Sequence, residues 1–266
     1  MATRSITSPS AVSGWRWALA GALAGGILAL ALYAPARWLA SALAQWTGGH
    51  LQLVNAQGTV WNGSAGLVFA SGAGGAEAVS LPGMLGWRIR PRWDGVSAAL
   101  DIPCCAPQPL EFIARPSAQG AELAWRDGQS RWPAALLVGF GAPWNTLKLD
   151  GALQLSMNSL VLHLRGRSLG IAGRAVLDAT DISSSLSTLK PMGSYRVAVE
   201  GGSPDATVLL TTRDGGLQLS GSGRWNGSTL RFDGEASAAP GREDALSNLL
   251  NIIGRREGAR SLITLG

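Results

Sequence analysis

Apolar and polar residues follow two different patterns along the chain. Residues 17–36 carry no charge over about 20 positions, which is the length that a helix needs to cross the hydrocarbon core of a bilayer. Further along, apolar and polar residues alternate at 50–61, 147–166 and 193–238, as they do in strands that bury one face. The pattern therefore predicts a membrane helix followed by a body built of strands.

Turn signals divide the last alternating stretch into successive strands. Glycine-containing pairs at 201–202, 214–215 and 226–227 lie between apolar runs of strand length, which is typical of an antiparallel meander. The predicted fold class is mainly β, with a single N-terminal transmembrane helix followed by an antiparallel β-meander sheet. The sheet forms either a sandwich or an open groove, because both bury the same alternating side chains.

Two further segments have helical patterns. WPAALLVGF at 132–140 has Pro133 near a first helical position and predicts a short connector helix. REDALSNLLNIIG at 242–254 has acidic residues in its first turn and an apolar stripe at helical spacing. The stripe consists of Leu246, Leu249, Leu250 and Ile253. We expect this C-terminal amphipathic helix to fold back on the sheet.

The tetrapeptide WNGS occurs at 61–64 and again at 225–228. Asn-Gly pairs favour tight hairpin turns, because a type I′ turn needs two consecutive residues with positive φ. An apolar pair follows each copy, so each Trp is expected to pack at its hairpin end against the returning strand. The predicted turn residues are Trp61, Asn62, Gly63, Trp225, Asn226 and Gly227. The repeat also suggests two related β units.

Charges that flank the apolar segment predict its orientation. Arg4 and Arg16 precede it, and the positive-inside rule then places the N-terminal tail, residues 1–16, in the cytoplasm. A cleavable signal peptide is the alternative, with a small-residue site at 42–44. Its apolar core would exceed the usual range of about 7 to 15 residues, so we expect an uncleaved anchor.

The predicted organisation after the tail has three parts. An anchor at 17–38 contacts the lipid bilayer, with Trp17 and Trp38 near its two ends. One β unit at 39–140 and a second at 141–266 then lie on the far side of the membrane. The sequence thus predicts a single-pass membrane protein with most of its mass outside the cytoplasm.

Composition and charge limit the function classes. The chain has 36 glycines and 15% charged residues, which fits short strands joined by tight turns better than a soluble enzyme rich in amphipathic helices. Its formal net charge is +5, but the basic residues are scattered along the chain. Nucleic acid is therefore not an expected partner.

The densest group of basic residues is WRIRPRW at 87–93. On a strand, Arg88, Arg90 and Arg92 would share one face. The other face would hold Trp87, Ile89, Pro91 and Trp93. We interpret the pattern as a solvated basic face beside a buried one. The three arginines are the candidate partner-binding residues, suited to an acidic partner or to lipid headgroups.

Cys104 and Cys105 are adjacent in the chain, which has 2 cysteines. They fall in an oxidising compartment if the predicted topology holds. Three outcomes are open: a disulfide between the two neighbours, two buried thiols, or a bond to another chain. Metal binding is not expected, because metal sites need further His, Cys or carboxylate ligands nearby.

The sequence shows no catalytic constellation. GRSLG at 166–170 matches the nucleophile-elbow pattern, but Ser168 lies between two strand-like runs and no histidine follows it. His50 and His163 both precede that serine. We therefore predict no catalytic, cofactor-binding or metal-binding residues, no cofactor, no small-molecule substrate, and a protein that is not an enzyme.

Several stretches resemble one known family in their order along the chain. They are GTVWNGSA at 58–65, WPAALLVGFGAPWNTL at 132–147, PMGSYR at 191–196, GSGRWNGSTLRFDGEA at 221–236 and ALSNLLNIIGRREG at 245–258. With the N-terminal anchor, they resemble the type II secretion system protein N family, also called general secretion pathway protein N. The resemblance implies a bitopic inner-membrane protein of a Gram-negative bacterium with a periplasmic domain. It would be an accessory component of the machinery that exports folded proteins through the outer membrane.

Two functions are compatible with these expectations. A membrane-tethered periplasmic scaffold would bind other type II secretion subunits through sheet edges or its arginine-bearing face. The alternative is a periplasmic β-groove that binds lipid or carries it between the membranes. In that case the Leu-rich alternation at 153–164 and 207–219 would line the groove.

Overall fold

The structure is a computed structural model that describes residues 14–72, 78–166 and 168–266. Within these residues the chain forms two N-terminal helices, one antiparallel sheet and three further helical segments. The predicted class, mainly β with an N-terminal apolar helix, is thereby confirmed. Most of the predicted cytoplasmic tail, residues 1–16, lies outside the described part of the chain.

Two helices, α1 at Gly14–Leu32 and α2 at Ala36–Trp46, open the described chain. α1 is long and apolar enough to cross a membrane. The helices are separated at Pro35, because the residue before a proline disfavours the helical conformation. The anchor at 17–38 stays a prediction; within that range α1 ends at Leu32, and Trp38 belongs to α2.

All strands of the described chain hydrogen-bond into one 16-stranded sheet. Their bounds are β1 Leu51–Gly58, β2 Asn62–Ala70, β3 Ala78–Ser80, β4 Leu85–Arg92, β5 Gly95–Asp101, β6 Leu110–Ser117, β7 Gly120–Trp125, β8 Gly128–Pro133, β9 Asp150–Arg165, β10 Ser168–Ser183, β11 Gly193–Gly202, β12 Ala206–Gly215, β13 Leu217–Trp225, β14 Leu230–Ala238, β15 Arg255–Glu257 and β16 Arg260–Leu265. The order is β1-β2-β4-β5-β6-β7-β9-β10-β11-β12-β13-β14-β16-β15, with β3 on β2 and β8 on β9. This is the predicted meander, in one sheet whose main strand order begins at β1 and ends at β15.

The division into two β units, 39–140 and 141–266, stays a prediction. The sheet runs across the proposed boundary, because β7 and β9 pair directly. The connector predicted as one helix at 132–140 consists of a 3-10 helix, Ala134–Phe140, followed by a short helix α3, Trp144–Leu147. Helical structure thus separates the two groups of strands along the chain while the hydrogen bonding of the sheet continues past it.

α4, Glu243–Ile253, is the predicted C-terminal amphipathic helix. Its residues Leu246, Leu249 and Leu250 are buried in a cluster that also holds Tyr195 of β11. The sequence pattern did not predict the two strands that follow it, β15 and β16. β15 has 3 residues, all of them exposed, and pairs with β16.

The two faces of the sheet differ in polarity. On β9, Leu153 and Met157 are buried while Gln154, between them, is exposed. We call the apolar side the inner face and the opposite side the outer face. α4 and the 3-10 helix cover part of the inner face, and α2 covers it near β1 and β2.

The second WNGS copy forms the loop between β13 and β14. Trp225 ends β13 opposite Leu230, and its indole N–H donates to the carbonyl of Leu169 on β10 at 2.5 Å. Leu169 donates its own N–H to the carbonyl of Gly227 at 2.7 Å. The predicted type I′ turn is wrong here. Gly227 alone has a positive φ in this loop, because the Asn226 side chain accepts two backbone N–H bonds instead.

The first WNGS copy begins in the loop between β1 and β2. Positive φ occurs at Gly58, so the turn comes before Asn62 and Gly63, which already belong to β2. The predicted turn position is therefore wrong for this copy. Gly63 meets a different requirement, because a Cβ atom there would lie 2.5 Å from the ring of Trp87.

Trp61 connects the sheet to the N-terminal helices. Its indole N–H donates to the carbonyl of Ala31 in α1 at 2.6 Å. Beside it, the N–H of Val60 donates to the carbonyl of Ala34 at 2.8 Å. We call this junction of Ala31, Ala34, Val60 and Trp61 the anchor clasp. In both WNGS copies the Trp thus ties its loop to a carbonyl in a distant segment of the chain.

Replacing Trp61 with Phe should loosen the anchor clasp. Phe keeps an aromatic ring but lacks the N–H donor, and a hydrogen bond of this kind contributes about 1 kcal/mol. We expect faster hydrogen exchange at the amide of Val60, measured by mass spectrometry on the full-length protein in detergent. Trp225→Phe removes the matching bond of the other copy and should leave exchange at Val60 unchanged. Equal exchange at Val60 in wild type and Trp61→Phe would contradict the clasp.

The ring of Phe232 on β14 packs directly against three glycines. Cβ atoms added to Gly221, Gly223 and Gly234 would lie 2.5, 2.9 and 2.8 Å from its ring. The Phe232 side chain is buried, so it has little room to move away. The glycine-rich sequence before the second WNGS copy therefore makes room for an aromatic side chain on the inner face.

Gly221→Ala should lower the free energy of unfolding by about 1–3 kcal/mol, because the added methyl group overpacks the site beneath Phe232. Gly202→Ala is the matched control, since a Cβ atom at this strand glycine meets no atom within 4 Å. Denaturant unfolding of the full-length protein in detergent measures both. Equal stabilities of the two variants would show that packing of Phe232 does not require glycine at position 221.

Candidate partner-binding surface

Strand β4 places three arginines on the outer face. Arg88, Arg90 and Arg92 alternate along the strand, and Arg90 lies opposite Ser97 of β5. Trp87 lies on the inner face, where it is 4% exposed and packs in a cluster with residues of α2. The strand therefore has a basic side and a buried side at this end.

The far end of β4 departs from that pattern. Pro91 is exposed, and Trp93, just beyond the strand, is 95% exposed. The expectation that both would share a buried face is wrong. Pairing between β2 and β4 ends at Asn62 and Arg88, so beyond that point β4 has a strand neighbour on one side only among the described residues.

β6 and β7 add two more arginines to the same region of the outer face. Ser97 lies opposite Ile113 of β6, and Ile113 lies opposite Ala124 of β7. Arg115 is two residues from Ile113 on β6, and Arg126, one residue past the end of β7, is two residues from Ala124. Both therefore lie on the same side as Ser97. Neither arginine was predicted from the sequence, because pairing between strands this far apart leaves no local signal.

Together these strands form an open concavity of about 440 Å³, which we call the arginine concavity. Its lining includes Arg88, Arg90, Arg92, Arg115 and Arg126. Glu111 is the one carboxylate among the residues that line it. The concavity therefore carries an excess of positive charge.

Some of these arginines are paired with carboxylates. Asp94 lies 2.9 Å from Nε of Arg92 and 3.0 Å from Nε of Arg115. Glu111 lies 2.6 Å from Nη1 of Arg126. Hydrogen bonds from Arg115 and then Arg92 hold the pKa of Asp94 below its usual value, so Asp94 stays ionised and neutralises part of the charge.

Arg88 and Arg90 differ from the other three. Neither has a carboxylate oxygen within 4.0 Å in the part of the chain that the structure describes. Both side chains are exposed. A guanidinium group presents a planar fork of donors that matches a carboxylate. These two residues are therefore able to bind an external carboxylate without breaking an ion pair of the protein.

Cys104 and Cys105 are joined to each other in a disulfide. Of the three outcomes that the sequence left open, the structure has the bond between neighbours. Cys104 is exposed and Cys105 is buried. The carbonyl of Cys105 accepts the N–H of Arg131 at 2.6 Å, which fixes this loop beside β8.

The residues that could suggest catalysis lie on strands. Ser168 begins β10, which pairs with β9, so the helix that a nucleophile elbow needs does not follow it. Nδ1 of His163 lies 3.9 Å from a carboxylate oxygen of Glu122 on β7. Among the described residues, no three His, Cys, Asp or Glu side chains come together as a metal site.

The strands that were expected to line a lipid groove contribute to the core. Leu153, Met157 and Leu160 of β9 and Leu217 of β13 are all buried. Residues of the 3-10 helix and of α4 belong to the same clusters. The protein's own helices therefore occupy part of the proposed groove, which stays a hypothesis.

Comparison with known proteins covers most of the chain. A family model described as type II secretion system (T2SS), protein N, matches residues 49–263. The matched segment begins just after α2 and ends within β16, so it includes nearly the whole sheet. Searches of curated proteins and of solved structures gave no match. The resemblance seen in the sequence is confirmed, and the chain belongs to the type II secretion system protein N family.

Proposed function

We propose that this protein is an accessory, non-enzymatic component of the type II protein secretion machinery. It is a scaffold whose α1 crosses the inner membrane once, with the N-terminus in the cytoplasm and the sheet in the periplasm. Its arginine concavity binds a carboxylate-bearing surface of another secretion subunit. Family membership and the apolar helix α1 support this placement.

The observation that carries the proposal is the state of Arg88 and Arg90. Both are exposed and lack a carboxylate partner within the described residues, whereas Arg92, Arg115 and Arg126 are paired. Charged hydrogen bonds between a guanidinium and a carboxylate contribute about 1.5–3 kcal/mol. A partner that supplies such carboxylates therefore gains affinity at these two residues.

Trp93 adds to the case for a protein partner. Its side chain is 95% exposed at the rim of the same group of strands, beside Arg92 and Asp94. Trp and Arg are enriched among the residues that contribute most to protein–protein binding. An exposed Trp on the strand end that carries these arginines is therefore typical of a site that a second protein covers.

The anchor clasp supports a scaffold rather than a loosely tethered domain. Trp61 and Val60 bind carbonyls at the end of α1, and β2, which follows the clasp, pairs with β4 at Asn62 and Arg88. The first of the unpaired arginines therefore lies one strand away from the residues that hold the anchor. A rigid connection through a single strand would keep the binding surface at a constant distance from the membrane.

Crosslinking in cells tests the proposal. A photo-crosslinking amino acid at Ser97, opposite Arg90 on the outer face, would leave the arginines in place. We expect it to capture a periplasmic segment of another secretion subunit in a bacterium with an active type II system. Arg88→Glu with Arg90→Glu should lower the yield at least about tenfold, which corresponds to roughly 1.4 kcal/mol.

A matched charge control separates binding at this site from a general charge effect. Arg224 and Arg231 lie opposite each other on β13 and β14, are exposed, and lie outside the arginine concavity. Arg224→Glu with Arg231→Glu should leave the crosslink intact. Capture of lipid alone at Ser97 would instead favour the lipid-carrying alternative, and no protein adduct at Ser97 would contradict subunit binding at this surface.

A further inference from the structure

α2 follows the apolar helix closely and has three distinct sides. Three residues, 33–35, separate it from α1. One side of α2 packs on the inner face of the sheet, where Ala36 is 1% exposed and Leu39 joins the cluster around Trp87. The residues of the other two sides, 37, 38, 41, 42, 45 and 46, are exposed.

The exposed part of α2 is divided into an aromatic stripe and a polar stripe. Residues four apart lie on the same side of a helix. The aromatic stripe is Trp38, Ala42 and Trp46. The polar stripe is Arg37, Ser41 and Gln45. The two stripes run side by side along the whole helix, and α2 has no acidic residue.

The two Trp side chains of the aromatic stripe are exposed although they are large and apolar. Trp38 is 49% exposed and Trp46 is 80% exposed. Water contact with large aromatic surfaces is unfavourable, by about 25 cal/mol per Å² of apolar area. Trp side chains are most stable where an apolar ring meets a polar boundary, as at the surface of a bilayer.

We propose that the aromatic stripe of α2 lies in the headgroup region of the periplasmic leaflet, so that the body of the protein rests on the membrane. The proposal rests on the proposed function, because it requires α1 to span the bilayer. The occupant of the stripe is the phospholipid surface, since α2 begins only three residues after α1 ends. Amphipathic helices with one aromatic side and one polar side bind membranes in this manner.

Neighbouring aromatic residues support the same position. Tyr33, between the two helices, is 76% exposed, and the indole of Trp61 binds the carbonyl of Ala31 near the end of the apolar helix. Tyr33, Trp38 and Trp61 therefore cluster around the point where the chain leaves the apolar helix. Such belts of Trp and Tyr are typical of the boundary between hydrocarbon and water.

This contact would also orient the candidate binding surface. α2 packs on the inner face near Trp87, whereas Arg88 and Arg90 are on the outer face of the sheet. A membrane against the aromatic stripe therefore lies on the far side of the sheet from the arginine concavity. The concavity then opens toward the periplasm, where other subunits are accessible.

Spin-label accessibility on the full-length protein in phosphatidylethanolamine and phosphatidylglycerol nanodiscs tests the contact. In a Cys104→Ser, Cys105→Ser background, a nitroxide is attached at Ala42→Cys in the aromatic stripe or at Gln45→Cys in the polar stripe. Both positions are exposed, so the label fits without repacking. We expect the label at 42 to be accessible to oxygen and shielded from a water-soluble nickel chelate, with the reverse at 45.

A third label separates this inference from the proposed function. Leu23→Cys in the middle of α1 should be shielded from nickel if the helix spans the bilayer. Nickel accessibility at 42 equal to that at 45, with 23 shielded, would overturn the surface contact alone. Nickel accessibility at 23 would overturn the membrane-spanning anchor and the contact together.

Discussion

A single sheet in water has to cover one of its faces, and the rest of this protein depends on how that cover is provided. Alternating strands give every segment an apolar side, and the described residues form one sheet without a second sheet to pack against it. The cover comes instead from helical segments: α2 near β1, the 3-10 helix near the middle, and α4 over the C-terminal strands. The uncovered side is left polar, and the arginines collect there.

The two WNGS copies hold the ends of their hairpins to other parts of the chain. Each stands at the end of a hairpin, where the strand ladder stops, and each uses the indole N–H of its Trp to bind a carbonyl in a distant segment. One copy thereby holds the apolar helix α1, and the other holds β10. The same local sequence makes a long-range hydrogen bond at two places, because a Trp side chain is large and carries a single N–H donor.

Much of the fold is visible in the sequence because strand alternation and helix periodicity are local. The apolar helix, the long strand β9 and the amphipathic helix α4 all follow from patterns of that kind. Other features depend on partners far along the chain. Position 63 requires glycine because the ring of Trp87 leaves no room for a side chain, not because of a turn. Arg115 lies in the arginine concavity because of the register of β5 with β6. The 3 residues of β15 are too few to show a period.

The end strand β15 has a consequence for how copies of the protein meet one another. An open sheet edge presents unpaired backbone groups that another strand can join, and fibrils grow in this way. β15 offers only Arg255, Arg256 and Glu257, all exposed, and a salt bridge of 2.7 Å links Arg255 to Glu257. So short and charged an edge is a poor template, and crowded copies of the protein would not polymerise through it.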